Sequence, residues 1–156
     1  MDYILRKATA QDISQIVELS GLLADYHHAL DMYWKPGLET KPNFGEFLKD
    51  DLAKPNTMWL VAEFKERIIG YFSAEIRSTK PYISVLEIGH LSTCFILSEF
   101  RGKGIAKEAV EKFFKWFKEN GLTVAELTVD SRNSDSVKVW ESLGFREYMK
   151  KMKLEL

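Results

Sequence analysis

From Ile105 to Phe117 the apolar side chains Ile105, Ala106, Ala109, Val110, Phe113, Phe114 and Phe117 keep to one helical face, and Gly121 supplies a stop. The same period marks Ile13, Ile16, Val17, Leu19, Leu22 and Leu23, behind a Thr9-Ala10-Gln11-Asp12 stretch that has the form of a capping box. A second helix is predicted from about Asn43 to Ala53, with Asn43 and Glu46 as a cap pair and Lys54-Pro55-Asn56 as its end. A short one fits Ser134 to Ser142. Between the helices lie β-type runs. Tyr3 to Lys7 opens the chain, and Met58 to Phe64 and Ile68 to Ile76 form a hairpin across Lys65-Glu66-Arg67. Ile83 to Leu97 reads as one long strand, followed by Leu122 to Val129 and a closing strand from Phe145 to Leu154. This order predicts an α/β fold, a mixed and strongly twisted sheet with helices on both faces.

Composition narrows the class. The chain has 156 residues, 46% of them apolar and 13% aromatic, enough for one domain over residues 1–156 with a sizeable core. Its 22 Lys and Arg against 23 Asp and Glu give no charge argument for nucleic acid or membrane as a partner. Cys94, the single cysteine, cannot form an internal disulfide, and its apolar strand suits a buried structural thiol. With no signal-like or membrane-length apolar segment, a soluble cytoplasmic enzyme is the expectation. No metal-ligand spacing stands out.

The chemistry concentrates at Phe100-Arg101-Gly102-Lys103-Gly104-Ile105-Ala106, where a strand meets a helix. N–H groups at a helix start lack intrahelical partners and carry the positive end of the macrodipole, so glycines there let an anion approach the backbone. The spacing fits neither a P-loop nor a dinucleotide fingerprint. Arg101-x-x-Gly104-x-Ala106 instead matches the R/Q-x-x-G-x-G/A signature of the GCN5-related N-acetyltransferases. The run Asn133-Ser134-Asp135-Ser136-Val137-Lys138-Val139-Trp140-Glu141-Ser142-Leu143-Gly144-Phe145 resembles that family's later N-x-x-A/S-x-x-x-Y-x-x-x-G-F segment.

The resemblance implies acetyl-coenzyme A as co-substrate. Its diphosphate would be cradled by backbone amides of Gly102, Lys103, Gly104, Ile105 and Ala106, with Arg101 beside it. The strand near Cys94 to Leu97 would splay from its neighbour near Leu122 to Val129, and backbone groups of Phe95 and Ile96 would meet the pantetheine arm. Asn133 and Ser136 are further expected contacts, although Asn133 also suits a helix N-cap and Ser136 helix packing. Lys103 and Lys107 fit either phosphate pairing or plain solvation. The family also implies direct acetyl transfer to an amine, with an N–H around Ile96 polarising the thioester carbonyl, and it makes a homodimer an option.

Two positions depart from the pattern. Trp140 stands where many relatives carry a tyrosine acid, and an indole N–H does not ionise usefully. Thr128 stands where members that acetylate protein N-termini often carry a glutamate base. Catalytic candidates elsewhere are Glu87 and His90, each equally readable as a polar residue on a solvated strand face. Tyr26, Asp31, Tyr33 and Trp34 suggest an acceptor-binding wall in which rings hold a cation and Asp31 balances it, or alternatively aromatics that anchor a helix end. In that dense segment Pro36-Gly37 reads as the closing turn. The expected function is N-acetylation of a small-molecule or peptide amine. The rivals are a catalytically silent acyl-coenzyme A sensor and a generic nucleotide-phosphate binder.

Overall fold

The strands form one sheet in the order β1-β2-β3-β4-β5. In the computed structural model, which describes residues 2–156, β1 (Ile4–Lys7), β2 (Thr57–Phe64), β3 (Arg67–Ser78) and β4 (Glu87–Ile96) pair antiparallel. β5 (Ala125–Leu127) lies parallel to β4, so the sheet is mixed. The β2–β3 hairpin turns on Lys65 and Glu66, both in the left-handed region at φ 49° and 62°, as a two-residue primed turn demands.

Four helices cover the two faces. Helix α1 (Ile13–Leu30) follows a single 3-10 turn at Ala10–Asp12, and α2 (Gly37–Leu52) packs beside it. A Cβ on Gly37 would run into the Gly21 carbonyl oxygen, so the start of α2 presses directly on α1. On this face the Trp59 indole N–H donates to Asp51 Oδ2 of α2 at 2.8 Å, a buried bond to a charged acceptor of the kind worth about 1.5–3 kcal/mol. Trp59, Tyr71 and Phe95 stack in a row across β2, β3 and β4. Helix α3 (Ile105–Glu119) takes the opposite face, where Phe117 fills the space above Gly89 of β4. Helix α4 (Ser134–Ser142) joins α3 through rings: Trp140 meets Phe145, and Phe145 meets Phe114. Ile16, Leu48, Val61, Ile69 and Phe113 are wholly buried between these layers.

Several boundaries differ from the sequence reading. Helix α2 begins at Gly37, not near Asn43, and contains Pro42 in its second turn. Its start is fixed by tertiary contact, since the Gly37 N–H donates to Asp25 Oδ1 at 2.7 Å and Pro36 precedes it in extended backbone. Pro36-Gly37 therefore opens a helix instead of closing a segment. The long strand is only Glu87–Ile96, because residues 80–86 loop back where Thr79 N–H bonds the Leu86 carbonyl at 2.9 Å. Leu122 to Val129 shrinks to three strand residues, and the expected closing strand from Phe145 to Leu154 does not form. Tyr148, Met149, Met152 and Leu154 are all largely exposed, and the short β5 offers little edge to pair with.

Candidate functional site

The site starts at a bulge. Thr93 stands opposite Ser73 while Leu91 stands opposite Ala74, so Ser92 is an extra residue in β4. Before it, Gly89 N–H points to β5 and bonds the Val124 carbonyl at 3.0 Å. After it the Leu97 N–H points the other way, to Ile69 on β3 at 2.9 Å. Strand alternation then turns Phe95 toward β3 and leaves the N–H groups of Cys94 and Ile96 on the side that β5 has vacated. Pairing with β5 stops at Leu91–Leu127, so the two strands part as expected. The correction is that Cys94, not Phe95, shares the free edge with Ile96; the Phe95 ring is buried against Tyr71. Unpaired backbone of this kind suits an amide-bearing ligand arm.

At the end of β4 the glycine loop has the geometry its sequence implies. Gly102 and Gly104 have φ 73° and 82°, in the left-handed region where other residues are strained. Gly104 caps α3 with no side-chain acceptor of its own, so the first N–H groups of α3, those of Ile105 and Ala106 among them, face outward without a protein cap. Arg101 Nε donates to the Ile96 carbonyl at 2.9 Å and clasps the free edge. Lys103 lies 5.3 Å from the Phe100 ring centroid. Asn133 is the N-cap of α4 and accepts from the Ser136 N–H at 3.2 Å, the capping role allowed for it. Burial pushes the Cys94 thiol up to about 12, as expected of a structural cysteine.

Of the two catalytic candidates, the structure separates His90 from Glu87. Alternation puts them on opposite faces of β4, and Glu87 is exposed at the strand's beginning. His90 is buried on the face of α1 and α2, opposite Glu75 on β3 and Glu126 on β5. Its Nδ1 lies 3.6 Å from Glu126 Oε1, longer than a hydrogen bond, and has no partner among the described residues. Burial and then the Arg77 cation hold the imidazole below its ordinary pKa, against the pull of Glu126 and Glu75. Glu126 escaped the sequence reading, since one acid in a short strand looks like a solvated residue. Beside this pair a cleft of about 370 Å³ opens under α2, lined by Trp59, Ser73, Glu75, Arg77, Ser92 and Thr93 among others. The Ser73 hydroxyl there is buried and has no partner among the described residues.

The aromatic segment also assembles. His27 is half-buried between Tyr26 and Trp34, whose rings lie 5.9 and 5.5 Å away, and burial lowers its pKa. Its neighbour His28 donates Nδ1–H to the Trp34 carbonyl at 2.5 Å, so only one of the two faces this ring cluster. Tyr33 meets Trp34 edge-on at 6.1 Å. Asp31 ends α1 and accepts from the Tyr33 N–H at 3.0 Å, from Arg132 at 3.3 Å and from Lys153 at 2.8 Å. Hydrogen bonds from Lys153 first, and from Tyr33 and Arg132 after it, hold its carboxyl down to about 2. Among the described residues no cluster of His, Cys, Asp and Glu could hold a metal, and no helix is long and apolar enough to cross a membrane.

Comparison with known proteins agrees with the fold. The chain is 23% identical to an uncharacterized N-acetyltransferase of Methanocaldococcus jannaschii over 93% of its own length, and it spans only 61% of that relative. It is 26% identical to an N-alpha-acetyltransferase of Saccharolobus solfataricus, covering 94% of this chain and 81% of that one. In fold it resembles an aminoglycoside N-acetyltransferase, AAC(6')-Iy in complex with CoA, with a TM-score of 0.78 at 20% identity over 99% of this chain and 95% of the other. The profile of the Acetyltransferase (GNAT) family matches residues 23–145, well over half of the sequence. This chain belongs to the GNAT family of acetyltransferases.

Proposed function

We propose that this protein transfers an acetyl group from acetyl-CoA directly to a primary amine of a small molecule or peptide, with His90 as the general base. The observation that carries the reading is a buried imidazole, its Nδ1 without a hydrogen-bond partner among the described residues, at the place where β4 and β5 part. The diphosphate fits the N–H groups from Gly102 to Ala106, and the pantetheine amides fit the Cys94 carbonyl and the Ile96 N–H, the Ile96 carbonyl being held by Arg101. Where a glycine-turned helix start and an unpaired strand edge follow one another along β4, a long phosphorylated amide is the ligand that uses both.

The chemistry needs three things of the chain. His90 takes the proton of the attacking amine, for which a group that is uncharged at neutral pH is required. The Cys94 N–H, the donor on the free edge nearer to His90, polarises the thioester carbonyl as charge develops on its oxygen, since Ile96 lies six residues along the extended strand from the base. As the C–N bond forms and the C–S bond breaks, the departing thiolate collects its proton from water, because Trp140 is packed against Phe145 and has no ionisable group to give. Glu126 stands behind Nδ1 to steady the imidazolium that results. The cleft beside Ser73 and Glu75 receives the acceptor. A lone buried thiol suits a reducing compartment such as the cytoplasm.

Steady-state release of free thiol from acetyl-CoA, followed over a panel of primary amines and short peptides, tests this reading. Turnover well above the hydrolytic background on at least one amine is expected. Tight acetyl-CoA binding without turnover on any of them would favour an acyl-CoA-binding sensor, the reading that Trp140 in place of a tyrosine acid makes admissible.

A further inference from the structure

Lys153 already does what was expected of an acceptor amine. Its ammonium lies 4.6 Å from the Tyr33 ring centroid and 2.8 Å from Asp31 Oδ2, a cation between a π-face and a carboxylate. Asp31 is oriented for the task, because its other oxygen is fixed by the Tyr33 N–H at 3.0 Å. Arg132 braces the arrangement from the β5–α4 connection, donating to the Leu30 carbonyl at 3.0 Å and bonding both Asp31 and Asp130. The site is thus assembled at the end of α1, and Lys153 is the part of it that the C-terminal tail supplies.

The same tail reaches the catalytic pair. Tyr148 O–H donates to Glu126 Oε2 at 3.1 Å, the carboxylate whose other oxygen faces His90. Five residues later Lys153 is on Asp31, a separation that extended chain covers in at most about 17 Å. Between these two points the tail makes no strand and leaves Met149 and Met152 largely exposed, while its polar tips, Tyr148 and Lys153, tether it. Such exposed contacts are weak and readily exchanged.

We propose that Asp31 and Tyr33 form a binding site for a primary ammonium group, and that Lys153 is its resident occupant, displaced by an acceptor that carries a second cationic group. The acceptors favoured are therefore diamines, polyamines or lysine-bearing peptides. The link to catalysis rests on the transferase reading, whereas the ammonium site itself does not.

Binding of 1,5-diaminopentane, a free copy of the lysine side chain with a second amine, tests the site without turnover. Calorimetry should show Lys153→Ala binding it roughly fivefold more tightly than the wild type, the factor an exposed pair supports, with Lys153→Arg unchanged from wild type. Adding Asp31→Asn to Lys153→Ala should abolish the gain. Equal affinity in wild type and Lys153→Ala overturns the resident-occupant idea, and undiminished binding after loss of the Asp31 charge overturns the site. In kinetics, Lys153→Ala should lower KM for diamines roughly fivefold with kcat constant, and leave KM for benzylamine, which has no second cation, where it was. Should no amine be turned over, the calorimetry still decides the ammonium site, while the transferase reading alone fails.

Discussion

Burial and then Arg77 hold the His90 imidazole below its ordinary pKa, and on the proposed mechanism that sets how the rate responds to pH. Below its pKa the ring is an imidazolium and cannot accept the amine's proton; above it the ring is competent. Because the pKa is pushed below its usual value near 6.5, kcat/KM should climb with pH along a limb that lies on the acid side of about 6.5. His90→Gln should lower kcat/KM by about 10²–10⁴-fold and erase that limb. Glu126 pulls the histidine's pKa upward, so Glu126→Gln should move the limb to still lower pH while costing about tenfold in rate. A pH profile in which Glu126→Gln matches wild type would remove Glu126 from the mechanism. In the sequence Glu87 and His90 were equivalent, two polar residues three positions apart on one strand. What separates them is which face each side chain takes, which alternation fixes once the bulge at Ser92 and the layer order are known. Glu126 had no local signal at all; only its register opposite His90 gives it meaning.

Among the helices, strands and loops, the turn from Arg101 to Gly104 was fully legible because its glycines answer to local geometry. Positive φ before α3 falls on two glycines two positions apart, Gly102 and Gly104, and sequence records it directly. Helix α2 was misread for the opposite reason: its first turn is held by Asp25 and by contact with Gly21, partners that lie 12 and 16 residues earlier in the chain. The closing strand failed likewise, since alternation in Phe145 to Leu154 needs an edge long enough to receive it. A paired substitution tests the glycine argument. Gly104 and Gly121 bracket α3 with nearly equal φ, 82° and 78°, and a Cβ at either would meet open space. Each change to alanine should therefore cost about 1–2 kcal/mol of stability through backbone strain alone. Only Gly104→Ala should also weaken coenzyme A binding, by about tenfold, as the amides turn away from the diphosphate. Equal coenzyme A affinity for the two variants in calorimetry would place the phosphate elsewhere.

Over the full extent of the sheet, β5 is joined to its neighbour by only three register pairs, Gly89–Ala125, His90–Glu126 and Leu91–Leu127. Past them the sheet has an open seam, with α3 and α4 linked through Phe114, Phe145 and Trp140 on one side and the α1–α2 layer on the other. A ligand lying along Cys94 and Ile96 and ending at the start of α3 closes that seam with hydrogen bonds that the protein alone does not make. Such a ligand binds the folded state only, so at a free concentration of 100 Kd it adds about 2.7 kcal/mol. For a chain of 156 residues that corresponds to a rise in Tm of about 5–10 °C. Coenzyme A should produce this shift, and ATP, which shares the phosphates but has no amide arm, should produce little. Hydrogen exchange should locate the gain: amides of Cys94 and Ile96 and of residues 102–106 should become protected, while the β1–β2 pairing on the far side should not change. Equal shifts from ATP and coenzyme A would mean that only the phosphate seat is used, and the open edge of β4 would lose its assigned purpose.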